Sequence, residues 1–401
     1  MLEQAFALHQ KGQFAEAASL YRKILEQNPQ NADALHLLGM IELQNNNALA
    51  ALGLMDRAIA LHPDHPALFY NRGVALHALR RFDEAIASYD LALARIPDYV
   101  EALNNRGIAL RELKRFTDAL DSYDRALAFD PDYPSALTNR GVVLRDMKRF
   151  EDALESFNKA LALESEYEEA LNNRGVVLHE LKRFEEALES YDRALKIKPD
   201  HAEAHNNRGN TLQALKRFDA ALASYARALA LAPGNADTLH NHGNALQGLK
   251  RFDEALQSYD HALKLRPDHA ESLNNRGNTL RELKRLDEAL DSYARALALR
   301  PDYPSALSNR GNALGELKRF EEALESYDRA LKIRPDYLEA LHNQGVLLQE
   351  LRRFDEALAT YDRALKIKPD YVEALYSRGM ALQELNRFEE AIASYDRALV
   401  F

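Results

Sequence analysis

The chain has 401 residues and a formal net charge of −10 at pH 7, from 52 basic and 62 acidic side chains interspersed along its length. This balance argues against a general nucleic-acid binder, because such proteins need a basic surface to meet the phosphates. There is no cysteine, hence no disulfide or thiolate metal site, and no apolar run approaches the roughly 18 residues of a membrane-spanning helix.

The opening residues, 1–31, show two short apolar patterns with helical spacing. Glu3 and Glu16 lie within them, and an amphipathic opening with acidic side chains is typical of neither a signal peptide nor a transit peptide. We therefore expect a cytoplasmic location.

From residue 32 onward a glycine recurs at every thirty-fourth position. These marker glycines are Gly39, Gly73, Gly107, Gly141, Gly175, Gly209, Gly243, Gly277, Gly311, Gly345 and Gly379. A fixed period of this length indicates an array of structural repeats that share one elongated core. We predict a single array over residues 1–401, with ten full repeats over 32–371, an amino-terminal partial repeat over 1–31 and a carboxy-terminal partial repeat over 372–401. Positions within a repeat are numbered as places, place one being residue 32, 66, 100 and so on.

Residues 168–201 show how one repeat is built. Two apolar patterns, each with the three-and-four spacing of a helix face, stand on either side of Lys182 and Arg183. The first joins Leu171, Gly175, Leu178 and Leu181, and the second joins Phe184, Ala187, Leu188, Tyr191, Ala194, Leu195 and Ile197. Pro199 ends the second helix, because proline cannot continue a helix. Each repeat is therefore predicted to be a helix-turn-helix, with small residues where the two helices approach closely.

The spacing of these residues closely resembles the tetratricopeptide repeat. The matching residues are Leu171 at place 4, Gly175 at 8, Ala187 at 20, Tyr191 at 24, Ala194 at 27 and Pro199 at 32. The resemblance covers the whole chain and implies an all-α, right-handed superhelical solenoid of about twelve helix-turn-helix repeats. It also implies a protein-interaction scaffold, not an enzyme, whose concave groove binds a protein or peptide segment in extended conformation.

Residues 1–39 are also similar to the amino-terminal start of bacterial proteins related to the protein O-linked N-acetylglucosamine transferases and SPINDLY proteins. Nothing in the 401 residues resembles the glycosyltransferase domain itself. The alternative hypothesis is therefore a substrate-recruiting arm of a protein O-glycosyltransferase whose catalytic domain is absent from this chain.

An unbroken row of asparagines at place 6 is the strongest candidate site. The row consists of Asn71, Asn105, Asn139, Asn173, Asn207, Asn241, Asn275, Asn309 and Asn343. The resemblance puts this place on the concave face of the first helix, and the family uses such rows on peptide backbones. A side-chain amide offers both donors and an acceptor, so it can bind a backbone peptide group whatever side chain is attached. We expect these side chains to face solvent when the groove is empty. The other interpretation is that asparagine is simply common at this place in the family and binds no ligand here.

Place 9 adds a second, shorter row of candidate peptide-binding residues in the middle of the chain. Its asparagines are Asn210, Asn244, Asn278 and Asn312, whereas other repeats have Val74, Ile108, Val142, Val176 and Val346. Acidic side chains at place 2, such as Glu101 and Glu271, add charge to one rim. Family members that bind a terminal carboxylate use lysines at places 2 and 5, where this chain has mostly glutamate and asparagine. The residues therefore do not favour a carboxylate clamp.

Arginine recurs at place 7, where the family usually has an aliphatic residue. The arginines are Arg72, Arg106, Arg140, Arg174, Arg208, Arg276, Arg310 and Arg378. A charge so close to a packed face needs a partner, and we expect aspartates on the second helix of the same repeat, namely Asp90, Asp124, Asp192, Asp328 and Asp396. Arg208 and Arg276 do not fit, because their own repeats have Ala226 and Ala294 there. A role toward a ligand is the alternative.

Other features favour structural interpretations. The Lys-Arg pairs at the turns lie next to acidic residues and indicate a solvated edge. His201, His205, His240 and His242 lack the carboxylate-histidine spacing of a metal site, and we find no motif for a cofactor or a catalytic nucleophile. Gly12 and Asn386 take the turn place where other repeats have Lys or Arg; if that turn needs a positive φ, each basic residue costs about 1 kcal/mol.

The end of the chain, RALVF, has no polar terminal helix. Arrays of repeats normally end in a polar cap, so we expect the natural protein to continue beyond Phe401. In this chain the apolar residues there, Ile392, Leu399, Val400 and Phe401, are expected to promote self-association.

Overall fold

The computed structural model describes residues 1–400 and is built from α-helices. Within that range there are 24 helices and no strand, arranged as successive helix-turn-helix pairs. Contacts divide the chain into two compact halves, Met1–Pro199 and a second half that begins at Asp200. None of the helices in residues 1–400 combines the length and the apolar character that crossing a bilayer requires.

The first half contains six helix pairs. Its helices are α1 Leu2–Gln10, α2 Phe14–Gln27, α3 Ala32–Gln44, α4 Ala48–Leu61, α5 Pro66–Ala78, α6 Phe82–Leu93, α7 Val100–Glu112, α8 Phe116–Phe129, α9 Pro134–Asp146, α10 Phe150–Leu163, α11 Glu168–Glu180 and α12 Phe184–Ile197. Consecutive helices pack against each other, and first helices such as α7 and α9 also touch. The apolar core runs between the helices, from α4 to α12 in its largest cluster.

The second half repeats the same arrangement. Its helices are α13 Ala202–Ala214, α14 Phe218–Leu231, α15 Ala236–Gly248, α16 Phe252–Leu265, α17 Ala270–Glu282, α18 Leu286–Leu299, α19 Pro304–Glu316, α20 Phe320–Ile333, α21 Leu338–Glu350, α22 Phe354–Ile367, α23 Val372–Glu384 and α24 Phe388–Leu399. First helices again touch the next first helix, as α17 touches α19. Within each half the first helices therefore lie side by side, and the predicted site residues lie on these helices.

The turn inside each repeat has one residue with a positive φ. In the repeat at 168–201 this residue is Lys182, with φ 60°. Its N–H donates to the carbonyl of His179 at 2.9 Å, and the N–H of Arg183 donates to that of Leu178 at 2.8 Å, which closes the end of the first helix. The turn therefore does have a positive φ, which is the condition on which the expected cost of its basic residues depends. Gly12 is the residue best suited to it, since glycine adopts positive φ without a steric penalty.

The marker glycines are packing residues, as predicted. A Cβ added to Gly175 would lie 2.5 Å from Cε1 of Tyr191, so the ring of the second helix fills the space that a side chain would need. Ala187 and Ala194 are fully buried in the same repeat. Close approach of the two helices therefore depends on small residues on one side and an aromatic ring on the other.

Candidate functional site

The asparagines of place 6 are half-buried, and most of them bridge neighbouring repeats. Asn139 Nδ2 donates to Asn104 Oδ1 at 3.0 Å, which lies 35 residues back, and Asn241 Nδ2 donates to Asn210 Oδ1 at 3.0 Å, 31 residues back. The others of this kind are Asn71 to His36, Asn105 to Tyr70, Asn275 to Asn244, Asn309 to Asn274 and Asn343 to Asn312. The expectation that these side chains simply face solvent is therefore wrong, because neighbouring first helices are close enough for the amide to reach across.

The amides of this row still have unused hydrogen-bonding capacity. Within residues 1–400, no protein group donates to the Oδ1 atoms of Asn71, Asn139, Asn241 and Asn309, and each of these amides also has a second N–H. Asn173 differs, since its Oδ1 accepts from Arg145 at 2.7 Å and its Nδ2 donates to the carbonyl of Glu169 at 2.9 Å. An amide with one idle acceptor and one idle donor can pair with a peptide group of a bound chain.

The asparagines of place 9 accept hydrogen bonds from neighbouring side chains, and Asn244 connects three groups at once. Asn244 Oδ1 accepts from the hydroxyl of Tyr259 at 2.7 Å and from Asn275 Nδ2 at 2.9 Å, while its own Nδ2 lies 3.0 Å from His240 Nε2. Asn210 and Asn312 accept in the same way from Tyr225 and Asn241, and from Tyr327 and Asn343. The sequence signal for this role is an asparagine 15 residues before a tyrosine, which sequence reasoning missed.

An isoleucine at place 9 leaves the tyrosine hydroxyl of its repeat without an asparagine acceptor. Ile108 precedes Tyr123 by 15 residues, and the buried Tyr123 hydroxyl has no hydrogen-bond partner within residues 1–400. Val142 stands in the same relation to Phe157, which has no hydroxyl. We call the contact between neighbouring first helices a polar joint where place 9 is asparagine and an aliphatic joint where it is valine or isoleucine.

The arginines of place 7 pair with the preceding repeat, not with their own. Arg106 Nε donates to Asp90 at 2.7 Å and Arg276 Nε to Asp260 at 2.6 Å, in each case 16 residues back, while the Nη1 of Arg106 donates to Ser122 of its own repeat. The same-repeat prediction is therefore wrong. The offset of 16 residues also explains why Arg208 and Arg276 did not fit the same-repeat prediction. The alanines of their own repeats, Ala226 and Ala294, stand 16 residues before His242 and Arg310 of the following repeats, so they are not the partners of Arg208 and Arg276. A structural ion pair is confirmed where the preceding repeat supplies a carboxylate.

His240 lies within the polar joint around Asn244. Its Nδ1 is 2.9 Å from Ser272 Oγ, and the ring is 5.0 Å from that of His269. Burial, and then the neighbouring His269, lower the pKa of His240 to about 4. The ring is therefore neutral at pH 7, which lets its Nε2 accept from the Asn244 amide. His242 instead contacts Ser258, at 2.9 Å, so these two histidines belong to separate networks.

Comparison with known proteins agrees with this architecture. Two sequence models of the tetratricopeptide repeat match, one over residues 132–197, 166–233, 235–302 and 302–370 and the other over 2–66, 36–100, 70–134 and 342–401. The chain belongs to the tetratricopeptide repeat family. Tetratricopeptide repeats bind protein or peptide partners and are generally non-catalytic, and the chain is accordingly a protein-interaction scaffold.

Two solved structures are similar to this tetratricopeptide repeat array. YrrB, whose crystal structure is described as that of a TPR protein with an unusual peptide-binding site, is 29% identical over 47% of this chain and 97% of its own, with a TM-score of 0.40. The APC/C hetero-tetramer Cut9–Hcn1 is 14% identical over 99% of this chain and 92% of its own, with a TM-score of 0.53, a likeness of fold alone. No curated protein matches the chain significantly.

Proposed function

We propose that this scaffold binds an extended protein segment through the asparagine row of place 6, which pairs with the backbone of the segment. The observation that carries the proposal is the idle acceptor and donor on amides such as Asn241 and Asn309, held in place by a hydrogen bond to the preceding repeat. An amide already fixed on one side loses little conformational freedom when a ligand pairs with the other.

The repeat spacing suits an extended chain. Neighbouring first helices stand about 10 Å apart, and an extended peptide advances about 3.4 Å per residue. One asparagine therefore meets about every third peptide group, which predicts a periodic pattern of backbone contacts. A cytoplasmic location and the alternative of a glycosyltransferase-recruiting arm stay predictions.

The test uses peptides selected from a phage-displayed library of random linear dodecapeptides on the immobilised full chain. Each asparagine contributes only about 0.5–1.5 kcal/mol, so Asn241→Ala alone should weaken binding modestly. Changing Asn241, Asn275, Asn309 and Asn343 together to alanine should weaken a labelled peptide by about 100-fold or more, with allowance for non-additivity. Fluorescence anisotropy measures the affinity, and circular dichroism checks that the helices persist.

Two controls make the result specific. Glu189→Ala combined with Asp291→Ala and Glu325→Ala, all on exposed positions of second helices, should leave the affinity unchanged. In the peptide, N-methylation should weaken binding at about every third amide if the row pairs with the backbone. Failure to select any peptide, or full affinity in the fourfold variant with intact helices, would overturn the proposal.

We further propose that the chain self-associates through the outer face of α24. Ile392 is 59% exposed, Leu399 84% and Val400 77%, whereas Leu358 and Leu365, at the places of Ile392 and Leu399 in the preceding repeat, are buried. Phe401, which belongs to the same prediction, lies outside the described residues. Light scattering should show concentration-dependent association that Ile392→Lys with Leu399→Lys abolishes, while a monomer at all concentrations would contradict the proposal.

A further inference from the structure

Gly315 occupies a place where the other repeats have a side chain. Place 12 of the first helix carries Arg281 in the preceding repeat and Gln349 in the following one. Glycine weakens a helix relative to alanine, and the marker glycine of the same repeat, Gly311, has a packing reason, since a Cβ there would lie 2.7 Å from the Tyr327 ring. A Cβ on Gly315 would meet only Leu347 Cδ1, at an ordinary 3.9 Å. Packing therefore does not require this glycine, and its effect is to leave space.

The space is a cavity of about 330 Å³ beside the asparagine row. We call it the Gly315 pocket. It is lined by one cation, two carboxylates and a mainly apolar or amide remainder, namely Arg281, Glu316, Glu350, Gly315, Tyr327, Val346, Leu347, Asn312 of place 9 and Asn343 of place 6. The comparable cavity in the first half, where His77 fills place 12, has a volume of about 90 Å³ and is lined by Val74, His77, Tyr89, Asn105 and Ile108. The two cavities share places 9, 12 and 24 of one repeat and places 6 and 9 of the next. The Gly315 pocket is also more open and extends to Arg281, Leu347 and two glutamates.

The pocket is apolar on one side and carries an unpaired carboxylate. Val346 is 43% exposed and offers its side chain to a guest. Glu316, at place 13, is held by Lys284 at 2.8 Å and Arg281 at 3.6 Å. Glu350 also lines the pocket and is exposed, but it makes no ion pair with any residue in 1–400, and the equivalent lysine, Lys318, does not reach it.

We infer that the Gly315 pocket receives one lysine or arginine side chain of the bound segment, an inference that rests on the proposed function. The aliphatic stem of such a side chain lies along Val346 and Leu347 while its cation meets Glu350, a combination of apolar and charged contact that suits long basic side chains. The asparagine row then binds any extended backbone, and this pocket determines which side chain stands at one position.

The test compares place-12 variants of the full chain, using the selected dodecapeptides. We expect a basic residue to be enriched at one peptide position. Replacing that residue with leucine or glutamate should weaken binding about tenfold. Gly315→Gln, which restores the side chain of place 12 found at Gln349, should weaken the basic peptide about tenfold and remove its advantage over the leucine peptide. Glu350→Gln should remove the same advantage while leaving the affinity for the leucine peptide unchanged.

Gly315→Ala is the matched control, because it strengthens the helix and adds only a Cβ to the pocket. It should keep the preference for the basic peptide, and circular dichroism should show all variants folded. The inference is overturned if the enriched residue is apolar or acidic, if Gly315→Gln keeps the preference, or if Gly315→Ala loses it as fully as Gly315→Gln does. A peptide that is sensitive to the fourfold asparagine change but indifferent to Gly315→Gln refutes the pocket alone, whereas selection of no peptide refutes the proposed function and the pocket with it.

Discussion

The aliphatic joint around Ile108 and the polar joint around Asn244 are made by the same kinds of helices. They differ at place 9 and at place 5, where the first has Asn104 and the second has His240. In the first, the Tyr123 hydroxyl is buried without a partner. In the second, the Tyr259 hydroxyl donates to Asn244 at 2.7 Å, and the asparagine of the next repeat donates to the same oxygen at 2.9 Å. The hydrogen-bonding capacity of Asn244 is therefore largely used within the fold.

The largest effect is expected from breaking a polar joint. Asn244→Val should destabilise the second half by about 2–3 kcal/mol, because it removes the acceptor of two groups and the donor that faces His240. Asn278→Val is the matched change, since Asn278 accepts a hydrogen bond from Tyr293 alone, at 2.8 Å. This substitution should lower the free energy of unfolding by about 1 kcal/mol. Amide hydrogen exchange, which resolves local opening, should show the loss in α15–α18. Equal losses in the two variants would contradict the assigned network.

Acid should weaken the same joint through His240. Its folded pKa of about 4 lies below the unfolded value of 6.5, so the unfolded chain takes up the proton first and stability falls as pH decreases from about 6.5 toward 4. The loss at pH 5 relative to pH 7.5 should be about 2 kcal/mol. His269, Asp237, Glu271 and Arg266 also act on this ring. His240→Asn, which copies Asn274 of the next repeat, should remove that part of the pH dependence; an unchanged profile would show that His240 is not its source.

Sequence periodicity was sufficient to predict the helix pairs and the role of the marker glycines, because these depend on contacts within one repeat. It was not sufficient to predict hydrogen bonds between repeats. Asn139 reaches back 35 residues and Asn241 only 31, and place 9 alone does not decide between them, since Asn309 donates to Asn274 although Asn278 stands at place 9. The same limit explains why the ion pair of Arg106 was assigned to the wrong repeat and why no partner was found for Arg276.

A smaller effect should distinguish the tyrosines of the two kinds of joint. Tyr259→Phe removes a hydroxyl that donates to Asn244 and should cost about 1 kcal/mol. Tyr123→Phe removes a buried hydroxyl that has no partner within residues 1–400, so it should be neutral or stabilise by up to about 1 kcal/mol. The chain already has Phe157 at this place, after Val142. Chemical denaturation of both variants measures the difference, and a larger cost for Tyr123→Phe would reverse the comparison.

The smallest effect concerns the charge pairs between repeats. Arg276 has Asp260 at 2.6 Å, whereas Arg310 faces Ala294 and retains only its bond to Ser326, at 2.7 Å. Ala294→Asp should supply the missing carboxylate and stabilise the second half by about 0.5 kcal/mol, as expected for a half-exposed pair. Ala226→Asp is the control, because the new carboxylate stands opposite His242. Burial lowers the pKa of His242, so its ring is neutral at pH 7.5 and forms no ion pair. The gain from Ala294→Asp should disappear in about 1 M salt, where the screening length falls to about 3 Å. If both aspartates stabilise equally at pH 7.5, or if salt leaves the gain intact, the offset of 16 residues does not describe a charge pair and the place-7 arginines owe their position to the serine contact alone.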